Sequence, residues 1–149
     1  MSARQPEPLL AEWQALGLPF ATRPQLVRAL PGGRTNRSYL IDAAGERFVL
    51  RMDACAGTAL GIDRQREHRI VAAAAAAGLA PALVHADAAR GYMLMTYAQG
   101  EHAHIKNLST ARREALLATV AEIAKLDVEV PASDYSQLVA LLREDCDFD

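Results

Sequence analysis

A strand-like run at residues 37–42 is followed by a second at 47–52, where the side chains divide between two faces in steps of two. These read as two short strands, and Ala43-Ala44-Gly45 supplies the turn between them. In the second strand Phe48, Leu50 and Met52 fall on one side, and Arg47, Val49 and Arg51 on the other. After Asp63 the period lengthens to that of a helix. Glu67, Ile70, Val71 and Ala74 share one face of residues 63–77, with Asp63 as N-cap and Gly78 as the stop. On this reading Arg64, Gln65 and Arg69 point elsewhere. Residues 82–86 and 91–97 read as two more strands around a turn at 87–90.

The flanking stretches are simpler. Residues 1–8 are polar and proline-bearing and read as a loose leader; residues 8–16 read as a short helix that sets Leu9, Trp13 and Leu16 at helical spacing and stops at Gly17. Residues 25–30 suit a first strand. Ser109 or Thr110 caps a helix running to about Leu126, with Leu116, Leu117, Val120, Ile123 and Ala124 on one face. A last helix near residues 133–145 carries Leu138, Leu141 and Leu142. The apolar faces of these two helices have little chain left to cover them, which marks a missing partner surface.

Composition changes this picture little. The chain of 149 residues, 51% hydrophobic and 23% charged, has the balance of a globular protein. A net charge of −2 gives no reason to expect nucleic acid or an anionic membrane as a partner. The longest apolar run, residues 70–77, is far short of the roughly 20 residues a membrane span needs. Cys55 and Cys146 form no scaffold or Cys-x-x-Cys motif, which suits a reducing cytoplasm.

Candidate chemistry concentrates between residues 30 and 67. Gly32 and Gly33 permit positive φ, so that backbone N–H groups can converge on an anion, and Thr35, Asn36 and Ser38 add side-chain donors. The same residues also suit a plain hairpin turn. Neither G-x-x-x-x-G-K-[ST] nor G-x-G-x-x-G occurs. Arg51 leaves the sheet beside Val49, so an apolar floor lies next to a permanent cation that can hold phosphate oxygens bidentately. A solvated arginine at a strand end is the other reading. Glu67, a carboxylate on an apolar helix face, needs a cationic partner, and Arg51 is the nearest residue in sequence that a strand could aim at it. His102 and His104 form a His-x-His pair without a third ligand at recognisable spacing, so no metal site is assigned.

Five elements in order carry a family resemblance: the Gly-Gly turn with Thr and Asn, the strand end Phe-Val-Leu-Arg, then Gly-Ile-Asp-Arg-Gln-Arg-Glu, Gly-Leu-Ala-Pro and Met-Thr-Tyr-Ala-Gln-Gly. The set resembles the N-terminal lobe of the choline kinase, thiamine kinase and aminoglycoside phosphotransferase family. The resemblance implies an α+β, protein-kinase-like N-lobe: a mostly antiparallel sheet of about five strands packed on one helix. A hinge and one or two helices of an incomplete C-lobe would follow. The implied domains are a leader and short helix at 1–24, a nucleotide-binding lobe at 25–100, and a linker with C-lobe helices at 101–149.

By position, the resemblance puts Gly32, Gly33, Thr35, Asn36 and Ser38 over the ATP phosphates. It makes Arg51 and Glu67 the phosphate-holding ion pair, lays Val49 and Met95 against adenine, and gives the backbone of Thr96 and Ala98 its edge. Tyr97 falls in the hinge. Lys125-Leu126-Asp127 departs from the Leu-His that such kinases often carry. The larger departure is that His-x-Asp-x-x-x-x-Asn and a later magnesium-binding Asp are absent. His85-Ala86-Asp87 has the first spacing, but it precedes the hinge and has Tyr92 where Asn is needed. No catalytic residue is therefore assigned.

The implied function is ATP- and Mg2+-dependent phosphoryl transfer to a small-molecule alcohol, with this chain supplying the nucleotide-binding lobe and inactive alone. Two alternatives stay open. One is a non-catalytic nucleotide-binding module, or one that forms a homodimer through the C-terminal helices. The other is an interaction domain in which Arg51 and Glu67 form a structural ion pair.

Overall fold

The computed structural model describes residues 5–33, 35–53, 62–100 and 108–129. The expected helix at 133–145, the His102/His104 pair, both cysteines and most of the expected linker lie outside them. In chain order the elements are α1 (Glu7–Ala11), β1 (Gln25–Leu30), β2 (Asn36–Ala43), β3 (Glu46–Asp53), α2 (Arg64–Ala76), β4 (Leu83–Asp87), β5 (Tyr92–Thr96) and α3 (Thr110–Ala124). The strands form one antiparallel five-stranded sheet in the order β1-β2-β3-β5-β4.

Local chemistry sets the element ends. Ala44 and Gly45 both have positive φ, 57° and 86°, as a two-residue hairpin requires, and the Gly45 N–H donates to Asp42 Oδ1 at 3.0 Å. At the start of α2, Asp63 Oδ1 accepts the Arg66 N–H at 2.9 Å. At its end Gly78, at φ 72°, lets the Leu79 N–H reach Ala74 O at 2.9 Å, while its own N–H bonds Ala75 O. That is a Schellman closure, and it places the chain to enter β4.

The predicted alternation decides what each face of the sheet does. Tyr39 and Ile41 of β2, Phe48, Leu50 and Met52 of β3, and Tyr92 and Leu94 of β5 are buried on one face. Phe20 tilts against Phe48 with ring centroids 4.9 Å apart. The cover over this core is the N-terminal segment: Leu9, Leu10 and Leu18 are buried in it, with Trp13, Leu16 and Phe20 packed alongside.

This corrects the reading of a loose leader at residues 6–8, because Pro6 is fully buried and α1 begins at Glu7; residues 1–4 of that leader lie outside the described residues. The helix is also shorter than the predicted 8–16. It ends at Ala11, and the chain continues through turns to Gly17 at φ 65°. No side chain caps its start, and so short a helix forms only because Leu9 and Leu10 are buried.

α2 lies on the opposite face, where Leu40, Met93 and Ala74 are buried. α3, capped by Ser109, buries no residue among those described; Leu116, Leu117, Val120 and Ile123 are exposed.

Candidate functional site

Strand register builds the site on the α2 face. Across the sheet, Arg28, Leu40, Val49, Met95 and Leu83 stand in one row, and Leu30, Ser38, Arg51, Met93 and Ala86 in the next. Since neighbouring cross-strand residues share a face, the two rows form a floor with an apolar centre and a cation one step along it. Above the floor lies a cleft of about 460 Å³, walled by Arg28, Leu30, Pro31, Ser38, Val49 and Met95, and by the segment from Thr96 to Ala98 with Pro81 and Gly100.

Of the predicted site residues, Ser38, Val49, Met95, Thr96, Tyr97 and Ala98 meet in this cleft. Thr96 is locked to Ala82 at both ends: its N–H donates to Ala82 O at 2.9 Å, and its Oγ1 accepts the Ala82 N–H at 3.0 Å. The Thr96 N–H is therefore taken and does not face a ligand edge. The Tyr97 N–H donates to Arg47 O at 3.1 Å, so this residue is still tied to β3.

Gly32 and Gly33 form the turn into β2, at φ 95° and 81°. Gly33 is required twice over, because a Cβ there would stand 2.4 Å from Asn36 O. Asn36 Oδ1 is enclosed without a hydrogen-bond donor among the described residues.

Arg51 and Glu67 meet as predicted, in a direct Arg51 Nη2 to Glu67 Oε1 ion pair with the two side chains 23% and 25% exposed. Arg51 Nη1 also lies 3.9 Å from Met93 Sδ. The prediction that Arg64 points elsewhere is overturned. Arg64 is only 7% exposed, and its Nη1 donates to Glu67 Oε2 at 2.7 Å. Its Nε sits 2.9 Å from Asp53 Oδ2 as an ionic contact without hydrogen-bond alignment, and Nη2 makes a long 3.4 Å bond to Thr35 O.

Two arginines and two carboxylates thus form a compact neutral cluster, which is how a buried guanidinium is tolerated. Gly91 makes room for it, since a Cβ there would stand 2.9 Å from Asp53 Oδ2.

Arg64 and Asp53 were legible signals that the reading passed over. Arg64 precedes Glu67 by three residues on one helix, and Asp53 has the same strand parity as Arg51.

The cluster fixes protonation states. Burial works against the Glu67 carboxylate, but the Arg64 hydrogen bond and the Arg51 charge outweigh it and hold Glu67 below the usual carboxylate range. Burial pushes His68, next on α2, below the ordinary imidazole value despite the carboxylates of Glu67 and Asp53. Among the described residues no three His, Cys, Asp or Glu side chains converge in a way that could hold a metal ion. No described helix is long and apolar enough to cross a membrane.

A five-stranded antiparallel sheet whose third strand offers an arginine to a glutamate on the following helix is a kinase-like N-lobe. The sequence matches the phosphotransferase enzyme family APH over residues 26–144, and the chain belongs to that family. No curated protein matches it significantly.

Among solved structures, it shares its fold with the choline kinase LicA from Streptococcus pneumoniae, at 14% identity and a TM-score of 0.57, over 94% of this chain and 48% of that one. It also matches a choline/ethanolamine kinase family protein from Mesorhizobium loti at 26% identity and a TM-score of 0.42, over 63% of this chain and 28% of that one. A third match is a thermostable mutant of the aminoglycoside phosphotransferase APH(4)-Ia, in ternary complex with AMP-PNP and hygromycin B. It is 24% identical with a TM-score of 0.38, over 76% of this chain and 36% of that one. The chain spans less than half the length of each of these proteins.

Proposed function

We propose that the cleft binds the nucleotide of an ATP-dependent phosphotransferase acting on a small-molecule alcohol. The observation that carries the reading is the placement of the Arg51–Glu67 pair one row along from the Val49–Met95 floor, with Arg51 paired across the sheet to Ser38 of the cleft wall. Adenine would lie on the floor that Val49 and Met95 form, with the Thr96 carbonyl and the Ala98 backbone at its edge and Tyr97 beside it. The phosphates would run under Gly32, Gly33, Thr35, Asn36 and Ser38 toward Arg51. There a guanidinium already oriented by Glu67 would bind oxygens with little further ordering.

Three features support the fit. The glycine turn leaves no side chain between backbone and ligand, the floor is apolar, and the cation cannot lose its charge. Among the described residues no three metal-ligating side chains converge, so no residue is assigned to magnesium and no step is routed through it. With neither a His-x-Asp-x-x-x-x-Asn loop nor a later metal-binding Asp in the 149 residues, the chain would supply the nucleotide lobe and not turn over alone. Family membership supports phosphoryl transfer, and a cytoplasmic ATP pool would supply the donor.

Calorimetric titration with ATP and with adenosine tests the reading. Weak binding is expected, stronger for ATP, with Arg51→Gln erasing the difference. The absence of any ATP effect at millimolar concentration would overturn it. Release of ADP by the purified chain in the presence of choline, thiamine or an aminoglycoside would overturn the claim of inactivity.

The exposed row Leu116, Leu117, Val120 and Ile123 on α3 favours a second reading, a non-catalytic module that self-associates through this face. Sedimentation as a monomer at high concentration would exclude that reading.

A further inference from the structure

Arg64 has no place in the nucleotide reading, yet it is the most enclosed charged side chain described. Its three guanidinium nitrogens go to three different parts of the fold. Nε faces Asp53 at the end of β3, Nη1 bonds Glu67 on α2, and Nη2 bonds the Thr35 carbonyl in the segment that leads from the glycine turn into β2. The same Glu67 orients Arg51 through its other oxygen.

We infer that Arg64 is a positioning residue that ties the glycine turn, the end of β3 and the first turn of α2 into one unit. The turn and the Arg51 guanidinium are thereby held for the same anion.

Two physical consequences follow. Only a planar fork can direct hydrogen bonds to Glu67 and Thr35 while setting its charge against Asp53, so a lysine, with a single point of charge, cannot replace it. Removing the charge also leaves Asp53 and Glu67 facing Arg51 alone, so the cluster becomes net negative beside the place where phosphates would lie. Loss of Arg64 therefore weakens the hold on phosphate without touching the apolar floor, which lies in the neighbouring row.

The first test is amide hydrogen exchange on the full chain, in the wild type, Arg64→Gln and Arg64→Lys. Both variants are expected to exchange roughly tenfold faster at residues 35–38 and in the first turn of α2, with Leu50 and Leu94 in the central strands unchanged. Unchanged exchange at 35–38 would overturn the inference. So would an equal rise at Leu50 and Leu94, which would mean general loosening. Wild-type exchange in Arg64→Lys would also overturn it, because a point charge would then suffice.

The second test rests on the nucleotide reading. The ratio of ATP to adenosine affinity is expected to fall in both variants toward that of Arg51→Gln, with adenosine binding retained. If exchange rises but the ratio stays at the wild-type value, the link between tether and phosphate is refuted. A wild-type chain that binds neither ligand counts against the nucleotide reading alone, and the exchange result then decides the tether by itself.

Discussion

Replacing Glu67 with glutamine separates an ionised, shared carboxylate from a side chain that merely fills space. The carboxylate accepts from Arg51 through one oxygen and from Arg64 through the other, the latter at 2.7 Å. A hydrogen bond to a charged group contributes about 1.5–3 kcal/mol when buried, whereas an exposed ion pair contributes about 1 kcal/mol or less. Glu67 is 25% exposed and the glutamine keeps one acceptor oxygen, so the expected loss is about 2 kcal/mol. For a domain of this size that is roughly 4–8 °C in melting temperature.

The pH dependence fixes the sign. Its ordinary value is 4.5, and in the fold the arginines hold Glu67 below that, so the unfolded chain takes up the proton first as pH falls. The stabilisation is complete above 4.5 and is lost as pH drops from there through the folded value. Urea unfolding followed through Trp13, the single tryptophan, measures both arms. The gap between wild type and Glu67→Gln should be full near neutrality and shrink below 4.5. Subtracting the variant cancels the titration of the other carboxylates. A gap absent at neutral pH, or one that widens in acid, would refute the assignment of Glu67 as an ionised bridge.

Three further substitutions probe the rest of the structure. Gly33→Ala should cost more than Gly32→Ala: both incur about 1–2 kcal/mol of left-handed strain, but only at Gly33 does the Cβ meet Asn36 O, at 2.4 Å. Equal losses in thermal unfolding would contradict this. Tyr92→Phe should be neutral, or stabilise by up to about 1–2 kcal/mol, because the Tyr92 hydroxyl is buried with no hydrogen-bond partner among the described residues. A loss above about 1 kcal/mol in urea unfolding would reveal a partner. Leu10→Ala, at a site 3% exposed, should cost about 2–5 kcal/mol; a loss under about 1 kcal/mol would put the N-terminal segment outside the folding unit.

The sheet was legible because alternation is local. Phe48, Leu50 and Met52 fall on one side of β3 from the sequence alone, and both caps of α2 follow from Asp63 and Gly78. The pairing of Arg51 with Glu67 was legible by the same logic, as an inward strand cation and a carboxylate on an apolar helix face. Arg64 was missed because the helical rule was run forward from Glu67 to Ile70 and not backward by three residues, where the same spacing makes Arg64 a neighbour. The N-terminal segment was missed for a different reason. Prolines and polar residues describe its local conformation, but whether it is loose depends on what lies beneath it. What lies beneath is an apolar sheet face that α2, on the other side, cannot reach.

Because side chains alternate, β3 contributes to both faces at every step, and the two faces are held by different means. Phe48, Leu50 and Met52 are fixed by close packing under the N-terminal segment, which tolerates no large change in volume. Val49 and Arg51 are only partly buried; Val49 lines the cleft, and Arg51, one row along, is held by charge and hydrogen bonds. Packing sets the height and register of the strand, while the ionic cluster sets the direction of the Arg51 guanidinium and joins α2 to the end of β3 and to Thr35. Ionic strength should therefore act unevenly, because salt screens partly exposed charges and leaves buried apolar contacts intact. The cluster would loosen before the lobe unfolds.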